Sequence, residues 1–135
     1  MRLYDLESKF TTEEFTCPCQ CGFGSKPEDI DRTLIDKLNL IRILIGRPLI
    51  VTSGARCAAY NASIGGKPFS AHLSHAETKQ CRAADIAVRT GHDRIELIQV
   101  ALAVGFTRLG IGANFLHLDV AWDLPTPVMW VYKEA

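Results

Sequence analysis

Phe115-Leu-His-Leu-Asp-Val120 alternates strictly between two kinds of residue. Successive side chains of a β-strand point to opposite faces, so Leu116, Leu118 and Val120 form an apolar face that enters a core. Phe115, His117 and Asp119 share the other face, where a His and an Asp two apart converge on one site. A second stretch, Ala83-Ala-Asp-Ile-Ala-Val88, reads as another strand whose apolar run is broken by Asp85. An acid there is costly to bury unless a cation or hydrogen-bond donors meet it.

Around these strands the pattern is helical in two places. Ile30, Leu34, Leu38, Ile41 and Ile45 step by four and three, which predicts one amphipathic helix from Glu28. Ser25 is its candidate N-cap, and Gly46 and Pro48 stop it. Thr90 and Asp93 open a second helix with Ile95, Ile98 and Leu102 on its inner face, ending at Gly105. Leu49–Thr52, Arg108–Ile111 and Val128–Tyr132 are further candidate strands, and 54–66 and 67–81 read as loops. Helices with antiparallel strands in one small unit indicate an α+β fold, a small antiparallel sheet with flanking helices.

The chain of 135 residues is long enough for one core and too short for two ordinary domains, so 1–135 is expected to be a single, monomeric domain, with 1–27 an irregular cysteine-containing segment. Fifteen Lys+Arg balance fifteen Asp+Glu, which leaves no net positive field for nucleic acid or an anionic membrane. No apolar run approaches the roughly twenty residues of a membrane span. The first fifteen residues carry scattered charges and no apolar h-region, so the expectation is cytoplasmic synthesis without a signal peptide.

His72 and His117 with Asp85 lie on three separate segments. Two His and one Asp fit a catalytic zinc site, with three protein ligands and a position left for water. The plainer alternative is a hydrogen-bonded His and an acid paired with an Arg. Cys17-Pro-Cys-Gln-Cys21 looks like a metal knuckle, with Cys57 and Cys81 as candidates to complete it or to pair with each other. The alternative is five reduced, packed thiols.

Several segments together resemble a known family: Val51-Thr-Ser-Gly-Ala-Arg56, Tyr60-Asn61, Gly65-Gly66, Ser70-Ala-His-Leu73, Arg82-Ala-Ala-Asp-Ile86, Gly110-Ile-Gly112 and Phe115–Val120. In this order they resemble the zinc D-Ala-D-Ala carboxypeptidases, whose relatives include phage L-alanyl-D-glutamate endolysins and the hedgehog signalling domain. The resemblance implies a hedgehog/DD-peptidase-like fold, Zn2+ as cofactor, and His72, Asp85 and His117 as its ligands. It also implies that Ser53, Arg56 and Ser70 contact substrate, with Arg56 holding a carboxylate or the developing oxyanion. The substrate class implied is a peptidoglycan stem peptide cut near a D-amino acid by zinc-activated water. Without an export signal, such a protein would depend on another to reach the cell wall.

The sequence departs from that family in two ways. His72 and Asp85 stand thirteen apart where the family has seven, which an insertion of six residues within Ser74–Cys81 explains at little entropic cost. His75 is the competing ligand, but Ser70-x-His72-Leu73 carries the motif. Where many members have a general-base acid three before the last His, this chain has Asn114, which cannot accept a proton. Asp119, on the face of His117, is the expected substitute base. The missing acid also admits a non-catalytic zinc module that binds wall or a protein partner. A cysteine-based nucleic-acid binder is the remaining alternative, opposed by the zero net charge.

Overall fold

In the computed structural model, residues 1–133 are described, and they form four α-helices and one five-stranded sheet. The helices are α1 (Thr12–Phe15), α2 (Arg32–Ile45), α3 (Ala58–Ser63) and α4 (Gly91–Ala103). The strands are β1 (Val51–Ser53), β2 (Ala83–Ala87), β3 (Arg108–Ile111), β4 (Phe115–Asp119) and β5 (Val128–Val131), in the spatial order β1-β2-β4-β3-β5. The α+β class agrees with the sequence reading, but the sheet is mixed: β5 runs parallel to β3, while every other pair is antiparallel.

Alternation sorts the sheet into two faces. Ala84, Ile86, Leu109, Leu116 and Leu118 point to one side and join the main core. Helix α2 adds Leu34, Ile35, Leu38 and Ile41 to it and packs against α4. Each fully buried Leu or Ile contributes about 1.5–3 kcal/mol relative to exposure. The opposite face carries a single cross-strand row: Ser53, Asp85, His117, Gly110 and Trp130 are register partners in turn, from β1 through β5.

Several local expectations need correction. Helix α2 starts at Arg32 with Asp31, not Ser25, as N-cap: the Asp31 carboxylate accepts the Leu34 amide at 3.0 Å. Ile30 is extended and forms a parallel bridge with Cys81, which ties the chain ahead of the helix to the chain ahead of β2. The inner face of α4 is built on Leu97 and Ala101 with Ile98 packed beside them, while Ile95 and Leu102 are exposed. Segment 1–27 contains α1, and the 54–66 loop contains α3. Segment 67–81 has no helix or regular strand, as expected.

Candidate metal centre

The row across the sheet brings Asp85 of β2 directly opposite His117 of β4. His72 arrives from the loop after α3, where its backbone carbonyl accepts the Arg56 amide at 3.0 Å. Three atoms then converge. His72 Nε2 and His117 Nδ1 are 3.2 Å apart, and each faces Asp85 Oδ1, at 3.1 and 2.9 Å. All three residues are at least nine-tenths buried.

The outer atom of each ring fixes what the inner atom offers. His72 Nδ1 donates to the Gly54 carbonyl at 2.6 Å, which leaves the Nε2 lone pair facing inward. His117 Nε2 donates to Asp119 Oδ2 at 2.7 Å, which turns the Nδ1 lone pair inward. Two nitrogen lone pairs and a carboxylate oxygen thus crowd one point, an arrangement that repels itself unless a cation is shared among them. Ligands about 2.0–2.1 Å from a tetrahedral metal stand about 3.3 Å from one another. The observed separations match, so these residues fit a metal ion.

The electrostatics follow from burial set against these partners. Burial pulls the His72 pKa down further than Asp85 lifts it. Burial also acts downward on His117, but the carboxylates of Asp119 and Asp85 on either edge of its ring outweigh it and raise the pKa. Desolvation would raise Asp85, yet the imidazoles of His117 and His72 beside it hold it well below the ordinary carboxylate range. Asp119 is likewise lowered, because His117 and Arg108 together overcome its burial.

Arg56 closes one side of the centre. Its Nε donates to Ser53 Oγ at 3.0 Å, one terminal nitrogen to Asn61 Oδ1 at 3.2 Å, and the other to Asp85 Oδ2 at 3.3 Å. These bonds use three of the five guanidinium N–H groups and leave two to give. Ser53 therefore supports Arg56, and Ser70 Oγ accepts the His72 amide at 3.2 Å, which shapes the loop carrying that histidine. Asn61 also donates to the Lys67 carbonyl at 3.0 Å, and it lies so close to Gly66 that a Cβ there would stand 2.0 Å from its Oδ1.

On the other side, the Trp130 ring lies 5.4 Å from that of His117, and Tyr132 lies 6.4 Å from it. Gly110 makes this approach possible, since a Cβ on it would meet Trp130 Nε1 and the Tyr132 ring at 2.6 Å. Trp122 is exposed and packs against His75.

His75 stands outside the convergence. Its Nε2 pairs with Asp123 at 2.9 Å and its Nδ1 accepts the Thr78 amide at 3.2 Å, so it fastens the six-residue insertion to the chain after β4. The expectation for Asp119 also meets a different geometry. Oδ2 is taken by His117 Nε2, while Oδ1 accepts Arg108 Nε at 2.7 Å and the Ala121 amide at 3.0 Å. The carboxylate thus stands behind the imidazole, away from the atoms that converge. Asn114 is an exposed amide in the β3–β4 turn.

Sequence reasoning missed Arg108 and the supporting roles of Asn61 and Gly54. A signal for Arg108 existed: it is the register partner of Asp119 across β3 and β4, an opposite-charge pair on one face.

No curated protein matches the chain closely enough to count as a relative. A family model described as Peptidase M15 matches residues 8–119, a span that includes Arg56 and all three converging side chains. With most of its length inside that match and a metal-fitting centre at its heart, the chain belongs to the peptidase M15 family of metallopeptidases.

Proposed function

We propose that this chain is a zinc peptidase that hydrolyses peptidoglycan stem peptides next to a D-amino acid. The observation that carries the reading is the inward pair of imidazole lone pairs on His72 and His117, set on either side of Asp85 Oδ1. Two His and one Asp are a three-ligand set of the kind that leaves a coordination position open. A zinc ion bound there supplies Lewis acidity toward a peptide carbonyl and lowers the pKa of water.

The chain's own groups do the rest. Gly54 and Asp119 hold the two rings in their tautomers. Arg56, anchored through Ser53 and Asn61, offers its two remaining N–H groups to a substrate carboxylate or to an oxygen gaining charge, which a planar guanidinium suits. Trp130 and Tyr132 give an aromatic wall beside His117 that keeps bulk water from that side. Asp119 acts as the positioning residue of His117. The substrate class comes from the resemblance to D-Ala-D-Ala carboxypeptidases and L-alanyl-D-glutamate endolysins, as does a hedgehog-like fold. The protein would work as a monomeric single domain.

One observation favours a second reading, a non-catalytic zinc module of the same fold. Asn114 is an amide, and both carboxylates at the centre are already occupied by His and Arg partners. Release of new amino or carboxyl termini from purified peptidoglycan by the zinc-loaded protein, and none by Asp85→Ala, is the expected result. Zinc binding with no release establishes the second reading instead.

A further inference from the structure

A second convergence lies apart from the histidines and uses only sulfur. Cys17, Cys19 and Cys21 come from the loop after α1, and Cys57 is the N-cap of α3. Their four Sγ atoms all lie within 4.8 Å of one another, with Cys17–Cys19 at 3.5 Å and Cys19–Cys57 at 3.4 Å. A disulfide would need about 2.05 Å, and all five cysteines of the chain are free. Four sulfurs at about 2.3 Å from one tetrahedral zinc stand about 3.8 Å from each other, which the observed spacings bracket.

The backbone is wound to bring them there. A Cys-x-Cys-x-Cys run on an extended strand would send all three side chains out in one line, too far apart to share an ion. Here Gln20 and Gly22 take φ of 66° and 94°, in the left-handed region, so the chain doubles back on either side of Cys21. The Cys17 amide closes the loop on the Phe23 carbonyl at 2.8 Å. Two further amides aim at sulfur: Cys57 N–H at Cys17 Sγ and Tyr60 N–H at Cys57 Sγ, each at 3.4 Å. Such donors favour the thiolate over the thiol, and the thiolate is the metal-binding form.

We propose that Cys17, Cys19, Cys21 and Cys57 bind a second metal ion, a structural Zn2+ in a closed, all-sulfur site. It fastens the N-terminal loop to the segment that carries Arg56, whose neighbour in the chain is Cys57. The site is distinct from the His72 centre in ligand type and in having four protein ligands rather than three, which marks it as structural. Cys81 has no part in it: its thiol is in the core and donates to the Ala83 carbonyl at 3.2 Å.

The test uses the whole chain, purified reduced and without chelator, with zinc counted by elemental analysis. The wild type is expected to hold two zinc ions, His72→Ala one, and the Cys19→Ser/Cys21→Ser double variant one. Cys19 and Cys21 are exposed, so replacing them leaves core packing intact. Cobalt-loaded His72→Ala should show an intense near-ultraviolet sulfur-to-cobalt band that the double variant lacks. If His72→Ala does not fold, the wild-type cobalt spectrum set against that of the double variant gives the same answer. Two zinc ions retained in the double variant, or one in the wild type with no sulfur-to-cobalt band, overturns the proposal and leaves the His72 centre standing. Loss of zinc in the cysteine variant but none in His72→Ala upholds this site and removes the other.

Discussion

Asp119 Oδ2 lies 2.7 Å from His117 Nε2, on the opposite edge of the ring from the Nδ1 atom that faces Asp85 at 2.9 Å. A carboxylate so placed fixes the tautomer and rotation of a ligand imidazole and raises its basicity. It stands away from the edge where His72, Asp85 and His117 converge.

Asp119→Ala should therefore weaken zinc affinity by about 10–100-fold, as losses of such partners do. Competition with a chromophoric chelator measures it. Abolished turnover at undiminished zinc affinity would instead make Asp119 the base.

Arg56→Lys keeps one charge but cannot span Ser53, Asn61 and Asp85 together. Peptide release should fall by at least about tenfold, the effect of about 1.4 kcal/mol in the transition state. The thermal midpoint should drop by only a few degrees, roughly what 1 kcal/mol costs a domain of this size. An unchanged release rate would remove Arg56 from substrate binding.

Gly66→Ala places a Cβ 2.0 Å from Asn61 Oδ1, so Asn61 must move and Arg56 loses an anchor. Overpacking of this kind costs about 1–3 kcal/mol. Urea unfolding of the variant should show that loss, together with a raised KM.

Burial pushes the Cys81 thiol up to about 12. At pH 8 it is almost wholly protonated, and only the thiolate alkylates. Mass spectrometry after native iodoacetamide treatment should find Cys81 unmodified, and modified once the chain is denatured. Labelling of Cys81 in the native protein would mean that the core opens there.

Two of the three converging side chains were legible because strand alternation is short-range, and His72 through its motif. His117 on β4 and Asp85 on β2 each interrupt an apolar pattern that their neighbours keep. The supporting groups were not legible in the same way. Gly54 serves His72 through its carbonyl, which side-chain identity does not reveal. Arg108 meets Asp119 only through the β3–β4 register. The parallel placement of β5 depends on a chain that leaves β4 and returns on the far side of β3, a path no local pattern encodes. Helix α2 was found by its apolar stripe, but Ile30 fits that stripe while lying in an extended bridge, because Cys81 bonds the residues on either side of it, Asp29 and Asp31.

The row Ser53–Asp85–His117–Gly110–Trp130 has a consequence for how the chain is checked as it folds. A slip of one residue between β2 and β4 would send Asp85 or His117 to the helix side of the sheet, where no partner waits. Only the correct pairing assembles the three atoms that an ion can bridge. A metal ion held there would therefore favour that strand alignment over its slipped alternatives.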